Sequence, residues 1–267
     1  MVGILAVFVI RTALAASGNP PRLNDLFTII TLAGALAVWI AGYRGLRRSD
    51  WVVAVSLGAV VGVTMSFATL YTPYPFFGFV RANLGPAFVR GFCTTLAALG
   101  GLVIMRHGGP VQFRLANGEW RKFGSSLALG LAVGAPLAAL NVFALQLTQG
   151  RPIDWQNPLA ALVDALQPGI VEEVIYRFAF LGLLWLALRK PLPNQAAWLA
   201  GLLAMLAHNF MHFGDLFLQA PLMALGLGAG MAILWGLPPT ILALRRDIES
   251  AIAFHWIQDV ARFLVGF

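Results

Sequence analysis

Charge is what this chain has least of: Asp, Glu, Lys and Arg make up 11% of its 267 residues, where roughly a quarter is usual for a soluble domain. With 59% hydrophobic residues and a mean hydropathy of +0.79, a water-exposed globular surface cannot be built from it. Cysteine is nearly missing too. The single Cys93 excludes an intrachain disulfide and a cysteine-rich metal site, and it reads as a small apolar residue within a membrane span. Repeats of solenoid period and low-complexity linkers are also lacking, so one membrane domain is the simplest organisation.

What is present is a series of apolar stretches, each close to the 17–25 residues that cross a hydrocarbon core as a helix. They fall roughly at 2–17, 25–43, 51–71, 86–105, 125–148, 158–188, 195–213, 216–244 and 248–265, giving an all-α polytopic transmembrane bundle of about 8–9 spans. The first is read as a retained span rather than a signal peptide: Ala13, Ala15 and Ala16 resemble a cleavage site, but a basic n-region is lacking and Arg11 interrupts the apolar run.

A net charge of +7 does not imply nucleic acid, because the basic residues follow topology. Arg44, Arg47 and Arg48, then Arg106, Arg114, Arg121 and Lys122, then Arg189 and Lys190, then Arg245 and Arg246 occupy alternate loops, and hold eleven of the 18 basic residues. The intervening loops hold Arg22, Arg81 and Arg151. This predicts a cytoplasmic N-terminus; an integral protein surrounded by membrane lipids, in a prokaryotic plasma membrane, is the localisation expected. The longest polar connection, 106–124, reads as a cytoplasmic loop whose basic and aromatic residues suit the lipid surface. It separates an accessory part, 1–124, from a part, 125–267, in which intramembrane polar residues concentrate.

Glu172, Glu173 and Arg177 lie at the start of the apolar run Ile170 to Leu188, where carboxylates are costly to desolvate and therefore functional by default. Glu173 and Arg177 are four apart with the acid N-terminal, the favourable order for a helical ion pair, which leaves Glu172 without a local partner. Pro168-Gly169 predicts a break before Ile170, placing the acid pair in the first turn of a second half-helix. His208 and His212 are four apart on one helical face, and His255 and Asp259 repeat that spacing on the last span. Counted from the cytoplasmic basic residues, Glu172, His208 and His255 lie at depths of roughly 26, 27 and 14 Å. Asp164 is read as a residue near the outer headgroups, and His107 as a surface residue.

A carboxylate, imidazoles and hydrogen-bond donors are what water-driven hydrolysis requires. The same acid and histidine cluster also suits a transporter or scaffold that relays protons or binds a solute. Glu172-Glu173-Val174-Ile175-Tyr176-Arg177 resembles the EExxxR motif of the CPBP family of CAAX proteases and bacteriocin-processing enzymes, also called the ABI family. Ala204 to His208 resembles its FxxxH motif and His255 to Asp259 its HxxxN/D motif, in the right order over about 158–265. The resemblance implies a helical bundle around a water-filled cavity and an intramembrane endopeptidase acting on a membrane-associated protein or peptide. In it Glu172 would be the general base, His208 would help hold the water, and His255 with Asp259 would stabilise the oxyanion. Glu173 with Arg177 would brace the site.

The family pattern leaves metal dependence open: either no cofactor is needed, or Glu172, His208 and His255 would hold one divalent ion such as zinc. Two departures stand out. Ala204 replaces the usual aromatic, and Asp259, where Asn is commoner, cannot donate unless protonated, so its expected part is to orient His255. His212 lies outside the pattern and is read as polar lining of the cavity, with second-shell support or metal ligation as alternatives. HExxH, GxSxG and GxGD are absent, which removes the site-2 metalloprotease, serine-hydrolase and presenilin-type readings.

Overall fold

The computed structural model describes residues 23–71 and 84–267, so the expected first span at 2–17 and the Arg22 and Arg81 connections fall outside the described residues. Everything regular among the described residues is helical. Helices α1 (Leu23–Gly42), α2 (Arg48–Ser66), α3 (Leu84–Arg106) and α4 (Trp120–Gln149) come first. A nearly unbroken helical rod follows: α5 (Pro158–Asp164), α6 (Leu166–Glu172), a π-helical stretch Glu173–Phe180 and α7 (Leu181–Leu188). Then come α8 (Ala196–Met211), the short α9 (Leu216–Gln219), α10 (Pro221–Met231), a second π-helical stretch Ala232–Gly236, α11 (Leu237–Arg245) and α12 (Ile248–Leu264). Among the described residues, five helical segments are long and apolar enough to cross a membrane: those beginning at Leu23, Arg48, Leu84, Trp120 and Pro221. The chain is an integral membrane protein built as an all-α bundle. Exposed apolar side chains such as Leu222, Met223 and Leu225 on α10 are where a bundle meets acyl chains.

Small residues let the helices approach closely. Gly130 and Gly134 on α4 face Ser250, Ala253, Phe254 and Ile257 on α12, and a Cβ at either glycine would collide with that neighbour. Glycines four apart on one helix face are a common membrane contact because they admit the partner's backbone. Gly58 on α2 and Gly91 on α3 meet in the same way.

The basic end of the bundle is tied together by 107–119. Arg106 pairs with Asp50 (2.5 Å), which also accepts from the Arg47 backbone N–H to cap α2 (2.8 Å). Arg114 pairs with Asp247 (3.2 Å), the N-cap of α12, whose carboxylate also accepts from Ser126 (2.6 Å). The Glu249 carboxylate accepts from the Leu115 N–H (2.8 Å), and the Ile248 N–H donates to Gln112 O (3.0 Å). At the surface, hydrogen bonds from Lys122 and then Arg114 hold the Glu119 carboxyl below its usual range. This segment does not rest on the lipid surface through Phe113, as its composition led us to expect. Phe113 is buried edge-on to Phe178, with ring centroids 5.6 Å apart, because an aromatic ring gains more inside the bundle end than at an interface.

The expected break before Ile170 is also corrected. The helical junction lies at Ala165, so Pro168 falls in the first turn of α6, where its missing N–H costs little. The Gly169 N–H donates to Ala165 O, and the rod continues. The acid pair therefore sits at the α-to-π transition and not at a free helix N-terminus. Asp164 is buried and accepts from the backbone N–H groups of Thr69 and Leu70 (2.9 and 2.8 Å), which fastens α5 to the end of α2.

Candidate active site

Glu172 ends α6 and Glu173 opens the π-helical stretch. A π turn shifts side chains out of ordinary helical register, and such turns are frequent at functional sites. Here both consecutive carboxylates reach interior partners. Glu173, fully buried, pairs with Arg177, as its spacing predicts. Arg177 also donates from Nε to Thr240 Oγ1 (3.2 Å) and from a terminal nitrogen to Gly236 O (3.3 Å), the last residue of the second π-helical stretch. The charge inside the membrane is thus neutralised and hydrogen-bonded on several sides, the condition for tolerating a buried ion pair.

Glu172 points elsewhere. Its Oε2 lies 2.6 Å from His208 Nε2 on α8 and 3.7 Å from His255 Nε2 on α12. An ionised carboxylate only accepts, so the ring proton of His208 lies on Nε2, toward Glu172. The buried Nδ1 of His208 has no hydrogen-bond partner among the described residues. Tyr176 lies flat against the His208 ring, with centroids 4.7 Å apart and planes 14° from parallel, and its hydroxyl is 3.0 Å from both Asn24 Oδ1 of α1 and Met211 Sδ.

His255 is held by a partner that spacing does not reveal. Its Nδ1–H donates to Glu173 Oε1 (2.7 Å), so Glu173 bridges Arg177 and His255 and does not serve Arg177 alone. The expected orienting contact with Asp259 is longer, 3.4 Å from Nε2, and Asp259 turns its other oxygen to Arg262 (2.9 Å). Arg262 was readable as the i+3 partner of Asp259; Tyr176, lying between motif positions, carried no such signal. The depth difference expected for His255 closes because α12 starts beneath the 107–119 segment, with Ile248 fully buried. His212 caps the C-terminal end of α8, exposed, with its ring 5.6 Å from that of His208. One ligand atom each from Glu172, His208 and His212 lies within 4.8 Å of the others. The structure therefore groups His212, and not His255, with Glu172 and His208 as a set able to hold a divalent ion.

Three elements thus place a partly exposed carboxylate against two imidazoles, with the second carboxylate locked behind them. A family model described as "Type II CAAX prenyl endopeptidase Rce1-like" matches residues 154–261, the segment that contains all of these side chains except Asn24 and Arg262. This segment belongs to the CAAX protease family. No curated protein and no solved structure matches the chain. The match supports, for the segment it covers, an intramembrane protease of CAAX type in general, a hydrolase acting on a membrane-associated peptide or protein. It favours peptide hydrolysis over the proton or solute relay that the same side chains could otherwise serve.

Proposed function

We propose that this CAAX-family protease cleaves its substrate by a water that Glu172 activates. Glu172 is the carboxylate at the site that lacks an arginine partner among the described residues, and its side chain retains some contact with solvent. In this reading its carboxylate takes a proton from water as the water oxygen attacks the scissile carbonyl carbon. The C–N bond of the tetrahedral intermediate then breaks, and the amine leaves with the proton returned by Glu172. His208 holds the attacking side in place through its 2.6 Å hydrogen bond. His255 offers Nε2–H toward the developing oxyanion, aimed by the Glu173 contact at Nδ1. Asp259 keeps that ring in a negative field, while Glu173 with Arg177 braces the site.

The single observation that carries this reading is the convergence of His208 and His255 on one oxygen of Glu172. Residues 125–267 act as the catalytic part and 1–124 as its accessory, with α1 contributing Asn24 behind Tyr176. The basic loops face the cytoplasm, so the His212 end of α8 faces the opposite side. The test compares membrane peptides, by mass spectrometry, from cells making the wild-type protein and cells making Glu172→Gln. Uncleaved precursors accumulating in the variant support the reading, and identical peptide profiles would sink it.

A further inference from the structure

Asp259 stands beside the nitrogen that faces the oxyanion, and alone it is poorly suited to that place. Its Oδ2 is buried, 3.4 Å from His255 Nε2. An ionised carboxylate has no proton to donate, and its charge opposes the negative oxygen that forms when water attacks a peptide carbonyl. Arg262 answers both defects. It lies seven residues after His255 and three after Asp259, hence on their face of α12, and its Nη2 pairs with Asp259 Oδ1 (2.9 Å). Guanidinium and imidazole therefore stand against opposite oxygens of one carboxylate. We infer that Arg262 is a catalytic residue of this protease, whose guanidinium donates a second hydrogen bond to the oxyanion beside that from His255. This role presupposes the hydrolysis proposed for Glu172.

The guanidinium has donors to spare. It carries five N–H groups in a planar fork, and its buried Nε has no hydrogen-bond partner among the described residues. An unpaired buried N–H costs about 1–3 kcal/mol, and that cost is relieved when an oxyanion comes within reach. The group is also held in place before reaction, which is what makes such a donor effective. Its central carbon lies 5.4 Å from the centroid of the Phe263 ring, and Phe263 stacks on Tyr71 beyond the end of α2 (5.9 Å, 25°). The Arg262 side chain is still 39% exposed, so a substrate carbonyl can approach it. The other arginine at the site is not available: Arg177 is buried and committed to Glu173, Thr240 and Gly236. Arg262 falls one residue beyond the segment 154–261 that the family model matches, so the family pattern does not assign it.

The test measures kcat and KM of the purified full-length protein in detergent, on a membrane peptide that is cut only in cells making the protein, with thermal unfolding followed in parallel. Arg262→Met keeps the stem against Phe263 and removes the donors. Its kcat should fall about 10²–10³-fold, as on loss of one oxyanion donor, with KM within about threefold of the wild type. Asp259→Asn/Arg262→Met places an uncharged amide N–H at position 259 and should regain at least about tenfold in kcat. Asp259→Ala/Arg262→Met is equally free of charge but has no donor, and should stay as slow as Arg262→Met. Wild-type kcat in a folded Arg262→Met protein would overturn the inference. Equal recovery in both double variants would overturn it too, by reducing Arg262 to a counter-charge for Asp259, and recovery in neither would do so by making its role structural. An inactive Glu172→Gln beside a fully active Arg262→Met would remove this inference alone, whereas wild-type turnover by Glu172→Gln would remove the hydrolytic reading.

Discussion

Replacing Glu173 by Gln removes the one negative charge that neutralises Arg177 in the bundle interior, where the two side chains are 0% and 2% exposed. Breaking a buried pair by removing one partner costs about 3–5 kcal/mol, because the remaining charge is left uncompensated. The lower end applies here, since Arg177 keeps Thr240 Oγ1 and Gly236 O and the new amide oxygen can still accept one hydrogen bond. A loss of about 3 kcal/mol corresponds to roughly 6–12 °C in Tm for a domain of about this size. The assay is thermal unfolding of the purified protein in detergent, followed by tryptophan fluorescence, with Glu172→Gln measured in parallel. Glu172 is partly exposed and has no arginine to strand, so that variant should unfold within about 1 kcal/mol of the wild type. The double variant Glu173→Gln/Arg177→Met should recover stability relative to Glu173→Gln, because it removes both charges. A Glu173→Gln protein as stable as the wild type would refute the bracing role and the reading of Arg177 as a desolvated charge.

Three further outcomes are expected. Tyr176→Leu, which removes the flat contact with His208, should lower kcat about tenfold or more with KM little changed, while Tyr176→Phe, which keeps the ring, should fall between it and the wild type; equal kcat in all three would remove the positioning role. Phe113→Ala should destabilise the protein by about 3–5 kcal/mol in detergent denaturation, as a buried aromatic does; a change near zero would return 107–119 to the lipid surface. Gly130→Val should force α4 away from α12 and cost at least about 1–3 kcal/mol in the same assay, with wild-type stability contradicting the close approach at Ser250 and Ala253.

Sequence spacing made the local contacts legible. The Glu173–Arg177 pair and the shared faces of His208 with His212 and of His255 with Asp259 all follow from helical period. Agreement in depth between Glu172 and His208 anticipated their meeting, since both spans could be counted from basic loops at one membrane face. The rest depends on relations that period does not encode. Glu173 finds its second partner, His255, 82 residues away, and only the packing of α12 against the rod reveals it. Pro168 looked like a breaker because its effect depends on where the helix starts, and the junction at Ala165 makes it a first-turn residue. Phe113 read as interfacial because composition cannot tell a loop beside the bundle from one inserted into its end. The nearness of His212 to Glu172 depends on how α8 packs, which spacing along the chain does not encode.

The central claim is that Glu172 activates the water. The most direct measurement takes a membrane peptide identified as a substrate and compares kcat for the purified wild-type protein and Glu172→Gln, with unfolding monitored to establish that both are folded. Removing a general base should lower kcat by about 10²–10⁴-fold, and the account predicts a loss in that range with stability retained. Comparable turnover by a folded Glu172→Gln protein would contradict it.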